Sequence, residues 1–452
     1  MDVERLNAKA REIAGSETEK LLASTSKSAA LYERAHKVLP YGVPSTFQAN
    51  DPYPIYLSHG KGPKVWDVDG TERLDFHNGF GSMAVGHAHP KIVEAIEKQA
   101  KLGTHFAAPT EVTVEYAEAL AERFNCDMVR LTQSGTEATA DAIRVARAYT
   151  GKYTILKIEG SYHGHHDAVM FSVVPNSDMM GGRDLPASTP MSKGIPPEMA
   201  ERVKVVPFND LEATKKMLDE FGDEIGCMIL EPVMMNIGIV VPEPGYLQGL
   251  KDLCEAAGVV LIFDEVKCGA TIAHGGAAER FGTQPHLSAW AKSIGGGLVS
   301  GAFGGQREIM DTIEHGAAQI GTYNGNPLTC AGGVAALREV LTKDAYEHMG
   351  KLGTMLAEGC QRALDEAGIP GHTVDLGCKG CVSYRAEPLR NYRDFLETNT
   401  EIYYASFPWM VNRGIFMTPG DEEQWTLSVQ HSESDIRTYV EAFGEFCSEL
   451  SS

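Results

Sequence analysis

From about residue 128 the chain alternates short apolar runs with stretches of helical period. Residues 128–131, 154–158, 203–206, 227–230 and 259–263 are runs of four or five residues, rich in Val and Ile. Runs of that length and branching suit strands buried on both faces. Between them, residues 137–149, 211–221 and 247–257 carry apolar side chains on one helical face. The alternation predicts a large α/β domain with a mostly parallel sheet, covered by helices on both sides. Upstream, residues 65–71 read as a strand and turn. Two amphipathic helices follow, one starting at Ile92, Val93 and Ile96, the other with Val112, Tyr116, Leu120 and Phe124 on one face. Beyond about residue 335, helices at 350–367 and 433–450 flank short strands, which predicts a smaller α+β domain.

Two stretches break this pattern. Residues 1–38 are charged and alanine-rich at helical spacing and predict an arm of the kind that packs on a partner subunit. Residues 172–198 hold five prolines and no apolar period. An excursion of that length inside a compact domain predicts an active-site lid. The expected organisation is therefore 1–85 as the arm with part of the small domain, 86–335 as the large domain, and 336–452 as the C-terminal small domain.

Composition narrows the partners. A net charge of −21 argues against nucleic acid and against an anionic membrane surface. Nine cysteines, an odd number, fit a reducing, cytoplasmic setting better than a disulfide framework. Cys378 and Cys381 form a lone CxxC between strand-like flanks, so packing is expected there rather than metal or redox chemistry. Met1 to Lys20 is charged throughout and has no signal-peptide pattern, and no apolar run approaches a membrane span.

The candidate chemistry gathers at predicted strand ends. The run 259–263 ends in Asp264-Glu265, where ligands bind in open parallel sheets. Lys292 follows the apolar segment 287–291 and precedes Gly295-Gly296-Gly297. A desolvated lysine is a nucleophilic amine, and a buried carboxylate can keep a pyridinium nitrogen protonated. Together they form the constellation of pyridoxal 5'-phosphate (PLP) chemistry. Ser134 and Glu137 flank Gly135 and Thr136 as a capping box at a predicted helix start, which makes an anion site suited to phosphate. The rings of Tyr162 and His163, after the strand at 154–158, could stack on a cofactor ring or simply pack the loop. The nearby His165 and His166 have no matching acidic or cysteine cluster, so no metal site is expected.

In this order, Ser134-Gly135-Thr136-Glu137, Tyr162-His163-Gly164-His165, Glu231-Pro232-Val233, Asp264-Glu265-Val266, Lys292-Ser293-Ile294-Gly295 and Gly325-Asn326-Pro327 resemble the class III (ω) aminotransferases. The likeness runs from about residue 35 to 450 and is nearest the glutamate-1-semialdehyde aminomutase branch. It implies the PLP-dependent transferase fold type I and a homodimer with active sites at the interface. Lys292 is implied to hold PLP and to shuttle the proton, and Asp264 to pair with the ring nitrogen. Gly135 and Thr136 are implied to bind the phosphate, Thr322 to reach it from the neighbouring subunit, Tyr162 to stack, and Asn236 to lie near the ring. Glu423 resembles an active-site glutamate of the aminomutases.

Departures from the pattern bear on substrate. The aminomutase arginine that grips the substrate carboxylate is Gln48 here, and an amide cannot replace a charged, bidentate fork. A tryptophan becomes Phe80, and the usual Gly-Phe-Arg becomes Gly269-Ala270-Thr271, with the unusual Lys267 just before. Lys267 ranks as the second-choice Schiff-base lysine. Phe80, Trp425 and Tyr323 are expected to make the pocket apolar. The expected function is an amine transaminase that passes the amino group of an amine lacking an adjacent carboxylate to a keto acid such as pyruvate, through pyridoxamine phosphate. An aminomutase or a β-amino acid aminotransferase is the alternative. Arg183 and Arg413 are the candidate holders of the acceptor's carboxylate.

Overall fold

A computed structural model describes residues 3–420 and 424–452. Its strands, in chain order, are β1 (Leu57–Lys61), β2 (Lys64–Asp67), β3 (Glu72–Asp75), β4 (Met128–Thr132), β5 (Thr154–Ile158), β6 (Val203–Val206) and β7 (Ile225–Leu230). There follow β8 (Val260–Asp264), β9 (Leu287–Ala291), β10 (Gly301–Gly305), β11 (His372–Asp375), β12 (Lys379–Ser383), β13 (Ile415–Phe416) and β14 (Gln424–Thr426).

The large sheet has seven strands in the order β4-β10-β9-β8-β7-β5-β6. The pairs among β9, β8, β7, β5 and β6 are parallel, and β10 runs antiparallel to both β4 and β9. Side chains of successive residues go to opposite faces. Leu261 and Phe263 of β8 join a core with Leu247 and Leu250 of the helix Tyr246–Ala257. Val260 and Ile262 join a second core with Ala142 and Ala146 of the helix Gly135–Thr150. Both faces are therefore covered, as the unbroken apolar runs predict. Each such side chain contributes about 1.5–3 kcal/mol by leaving water.

β10 was not legible as a strand. Three of its five residues are glycine, a residue that weakens strands in general. Packing explains the composition. A Cβ at Gly304 would stand 2.3 Å from the Met128 carbonyl oxygen, so only glycine lets β4 come this close.

The smaller part combines both chain ends. β1, β2 and β3 are extended by β13, which pairs parallel to β3, and β11-β12-β14 form a second small sheet. The helices Lys343–Ala367 and Glu433–Ser451 pack together over them. The N-terminal arm, helix Val3–Ser24, buries Leu6, Ala10 and Ile13 in this same core. Lys9 pairs with Glu449 at 2.8 Å, and Arg11 with Glu401 at 3.0 Å. Leu6, Ala10 and Ile13 of the arm are thus covered within its own chain.

The excursion 172–198 also differs from expectation. It folds back through bridges between Phe171 and Pro190 and between Gly181 and Pro186. Its carbonyls at Met180, Gly181 and Gly182 accept from Arg393. It supplies no wall of the main cavity described below. Cys378 and Cys381 are buried, Cys381 within β12 and Cys378 just before it, in keeping with packing.

Candidate active site

At the carboxyl ends of β4, β5, β7, β8 and β9 the loops enclose a cavity of about 320 Å³. That volume is within the ordinary range for a small-molecule site. Asp264 is the last residue of β8 and is 5% exposed. Its Oδ2 lies 2.7 Å from His163 Nδ1, and its Oδ1 accepts the Val266 N–H at 3.0 Å. The contact places a proton on His163 Nδ1, since the carboxylate can only accept. The Nε2 of the same ring is buried without a partner among the described residues.

Lys292 begins the turn after β9, and its φ of +56° is left-handed. A non-glycine residue held there costs on the order of 1–3 kcal/mol, and such strain collects at functional sites. The turn aims Lys292 at the cavity, where it lines the wall with Asp264.

The helix Gly135–Thr150 starts at the cavity. Ser134 is its N-cap, and Ser134 Oγ accepts the Glu137 N–H at 3.3 Å. The reciprocal half of the expected capping box is shifted by one residue, because the Glu137 carboxylate accepts the Gln133 N–H at 2.6 Å. The first intrahelical bond runs from the Ala138 N–H to the Ser134 carbonyl, so the Gly135 and Thr136 N–H groups precede the ladder. A Cβ at Gly135 would lie 2.7 Å from Val266, so this loop can approach β8 only as glycine. N–H groups and the positive end of a sixteen-residue helix make a place for an anion.

Glu231, just past β7, accepts the Tyr162 N–H at 3.0 Å, the Met235 N–H at 2.9 Å and the Asn236 amide at 2.9 Å. It thereby fixes the loops that carry Tyr162 and Asn236. The aromatic wall is Phe47, Phe80 and Tyr162, with Phe47 edge-on to Tyr162 at 5.4 Å and 6.2 Å from Phe80. Lys267 also lines the cavity and donates to the Met235 carbonyl and, at 3.2 Å, to Asn236 Oδ1.

The structure brings Gly135, Thr136, Tyr162, His163, Asn236, Asp264, Lys292 and Phe80 to this one cavity. Other candidates stand elsewhere. Ser134 caps the helix behind the wall, and Thr322 is exposed on the loop before helix Pro327–Ala335. Gln48 is exposed and outside the cavity, while its neighbour Phe47 lines it. The sequence signal for Phe47 was its place beside Gln48, where the resemblance puts an arginine in the aminomutases. Trp425 corrects another expectation. It is 1% exposed, edge-on to Tyr439, with its ring filling the space that Gly380 leaves. Tyr323 is exposed, with its ring tilted against that of His105 at 4.7 Å. Arg183 lines a separate cavity, and Arg413 lies over Trp409 and pairs with Glu17, so neither is a cavity cation. Glu423 lies outside the described residues. Among the described residues no cluster of three His, Cys, Asp or Glu could hold a metal.

The family model for aminotransferase class-III matches residues 46–374, more than half of the chain. The chain belongs to the class-III aminotransferases. Among curated relatives of this aminotransferase, the glutamate-1-semialdehyde 2,1-aminomutase 2 of Brevibacillus brevis is 38% identical, covering 92% of this chain and 97% of the relative. Among solved structures, an omega-transaminase from Sphaerobacter thermophilus is 35% identical with a TM-score of 0.88, over 94% of this chain and 98% of that one. A glutamate-1-semialdehyde aminomutase from Pseudomonas aeruginosa PAO1, in complex with PMP, is 25% identical with a TM-score of 0.89, over 100% and 99%. The aminotransferase is thus an enzyme of PLP fold type I with PLP as its cofactor. Its cavity fits that group: the Lys292 amine, the buried Asp264 carboxylate and the N-terminus of helix Gly135–Thr150 face a common space.

Proposed function

We propose that this aminotransferase moves an amino group from a primary amine lacking an adjacent carboxylate to a keto acid. The observation that carries the reading is the aromatic wall, Phe47, Phe80 and Tyr162, with no arginine among the described cavity residues. A substrate carboxylate beside the reacting carbon would call for a charged fork at that wall.

Bound PLP supplies a carbonyl that condenses with amines and a ring that accepts electrons. In this reading Lys292 holds it covalently and, once released by the incoming amine, moves the proton at the reacting substrate carbon through Nζ. Asp264, kept in place by His163 and the Val266 N–H, holds the proton on the ring nitrogen. The Gly135 and Thr136 N–H groups take the phosphate, Tyr162 covers the ring, and Asn236 stands beside it. Lys267 is assigned the carboxylate of the keto acid, as the cavity cation among the described residues other than Lys292. The active unit is read as a homodimer in which Thr322 reaches the partner's phosphate site.

A second reading is intramolecular amino transfer of the aminomutase kind. Sequence likeness favours it, since relatives bearing that name are 38% identical over more than nine-tenths of this chain. Turnover separates the two. An arylalkylamine with pyruvate should yield ketone and alanine in equal amounts. Rapid isomerisation of glutamate 1-semialdehyde, with no ketone from any amine, would establish the second reading instead.

A further inference from the structure

Lys157 is the one charged residue of β5, and its side chain is fully buried. By strand alternation it shares a face with Ile155, whose neighbours include Phe171 and Val205. Its Nζ donates to three backbone carbonyls: Ile158 at 3.2 Å, Ser161 at 3.0 Å and Phe171 at 2.7 Å. Three acceptors match the three protons of an ammonium, whereas a neutral amine has only two to give. The acceptors are not scattered. Ile158 ends β5, Ser161 precedes Tyr162 and His163, and Phe171 precedes the excursion 172–198. On its other side the same loop is held by Glu159, paired twice with Arg393 at 3.0 Å, and by the Tyr162 N–H bond to Glu231.

We propose that Lys157 is a positioning residue of the active site, whose buried ammonium sets where Tyr162 and His163 stand and ties that loop to the start of the excursion. The assignment rests on Tyr162 and His163 facing the PLP ring. Lys157 touches neither cofactor nor substrate, so its effect is read through them. Burial pushes its pKa down to about 7, opposed by Glu231 and Glu159, the charged groups facing it from β7's end and from its own loop. As pH rises through that value one of the three donors is lost, and the loop is held by fewer bonds.

The test compares Lys157→Met and Lys157→Gln with the parent chain, as apo protein and with added PLP. Thermal melting of the apo forms reports folding. The PLP dissociation constant and the visible circular dichroism per bound PLP report the ring's surroundings. For a lost orienting contact we expect PLP binding weakened about ten-fold in the Met variant, with reduced visible dichroism, and a smaller change in the Gln variant. Folded variants with parental PLP affinity and dichroism would overturn the proposal. If the variants do not fold, hydrogen exchange on the parent decides. The amides of Ser161 and Tyr162, corrected for intrinsic rates, should lose protection between pH 6 and 9, and constant protection would overturn it. Tyr162→Ala and His163→Ala substitutions in the parent chain that leave PLP dichroism untouched would instead sink the reading of the ring wall.

Discussion

Two carboxylates stand next to each other at the end of β8, and their surroundings separate them. Asp264 faces the cavity and meets His163, whereas Glu265 turns away and accepts the Ala277 N–H at 2.6 Å and the Ser288 hydroxyl at 3.3 Å. For Asp264 the charge itself is the point, so Asp264→Asn should slow the amine half-reaction about 10²–10³-fold, read as loss of the PLP absorbance under single turnover. Lys292→Ala should bind PLP without its covalent absorbance and show no turnover. Burial raises Glu265 to about 7. Between about 4.5 and 7 the folded chain therefore keeps a proton that the unfolded chain gives up, and this group's contribution to stability falls as pH rises. Glu265→Gln does not titrate, so its melting temperature relative to the parent should climb from pH 5 to pH 8. The gain is bounded at about 3 kcal/mol.

At this scale the sequence was readable where one residue at a strand end has to meet a ligand. Asp264, Lys292 and Gly135 were expected in that role, and all three line the cavity. It was not readable where one position of register decides. On β14, Gln424 turns to the Met235 and Gly238 carbonyls while Trp425, one residue on, turns into the small-domain core. The same slip separates Phe47, on the wall, from Gln48, in solvent.

Among the elements, β10 shows why composition misleads. Its glycines answer to the closeness of β4 and β9, and β4 lies far away in sequence and leaves no local trace. Gly304→Ala should therefore cost about 3 kcal/mol, by overpacking against β4, and show as a lowered melting temperature without loss of a catalytic group. The apolar strands β5, β6, β7 and β8 left the opposite kind of trace. Both faces are buried by the chain's own helices, so most positions in them are apolar, and the buried Lys157 is satisfied by backbone carbonyls. The excursion 172–198 was legible as irregular but not as fixed. What fixes it is Arg393, more than two hundred residues away.

For the whole molecule, the chain closes its own small-domain core with the N-terminal arm, and apolar surface remains exposed near Thr322. Ile320 is 89% exposed, and Tyr323 packs its ring 4.7 Å from His105, close in sequence to the exposed Leu102 and Phe106. Exposed apolar residues that lie together mark interfaces. They flank Thr322, the residue read as reaching a partner's phosphate site. Ile320→Asp should shift the mass in solution from two chains to one and weaken PLP retention with it. Unchanged mass and retention would remove this patch from the dimer reading. No described helix is long and apolar enough to cross a membrane.

The central claim is that the cavity takes an amine without an adjacent carboxylate, and one spectrum tests it most directly. The protein is loaded with PLP, mixed with an arylalkylamine in the absence of any acceptor, and followed in the visible. The account predicts that the yellow absorbance fades as pyridoxamine phosphate forms and returns on adding pyruvate. An unchanged spectrum with amines, together with bleaching by glutamate 1-semialdehyde or a β-amino acid, would contradict it.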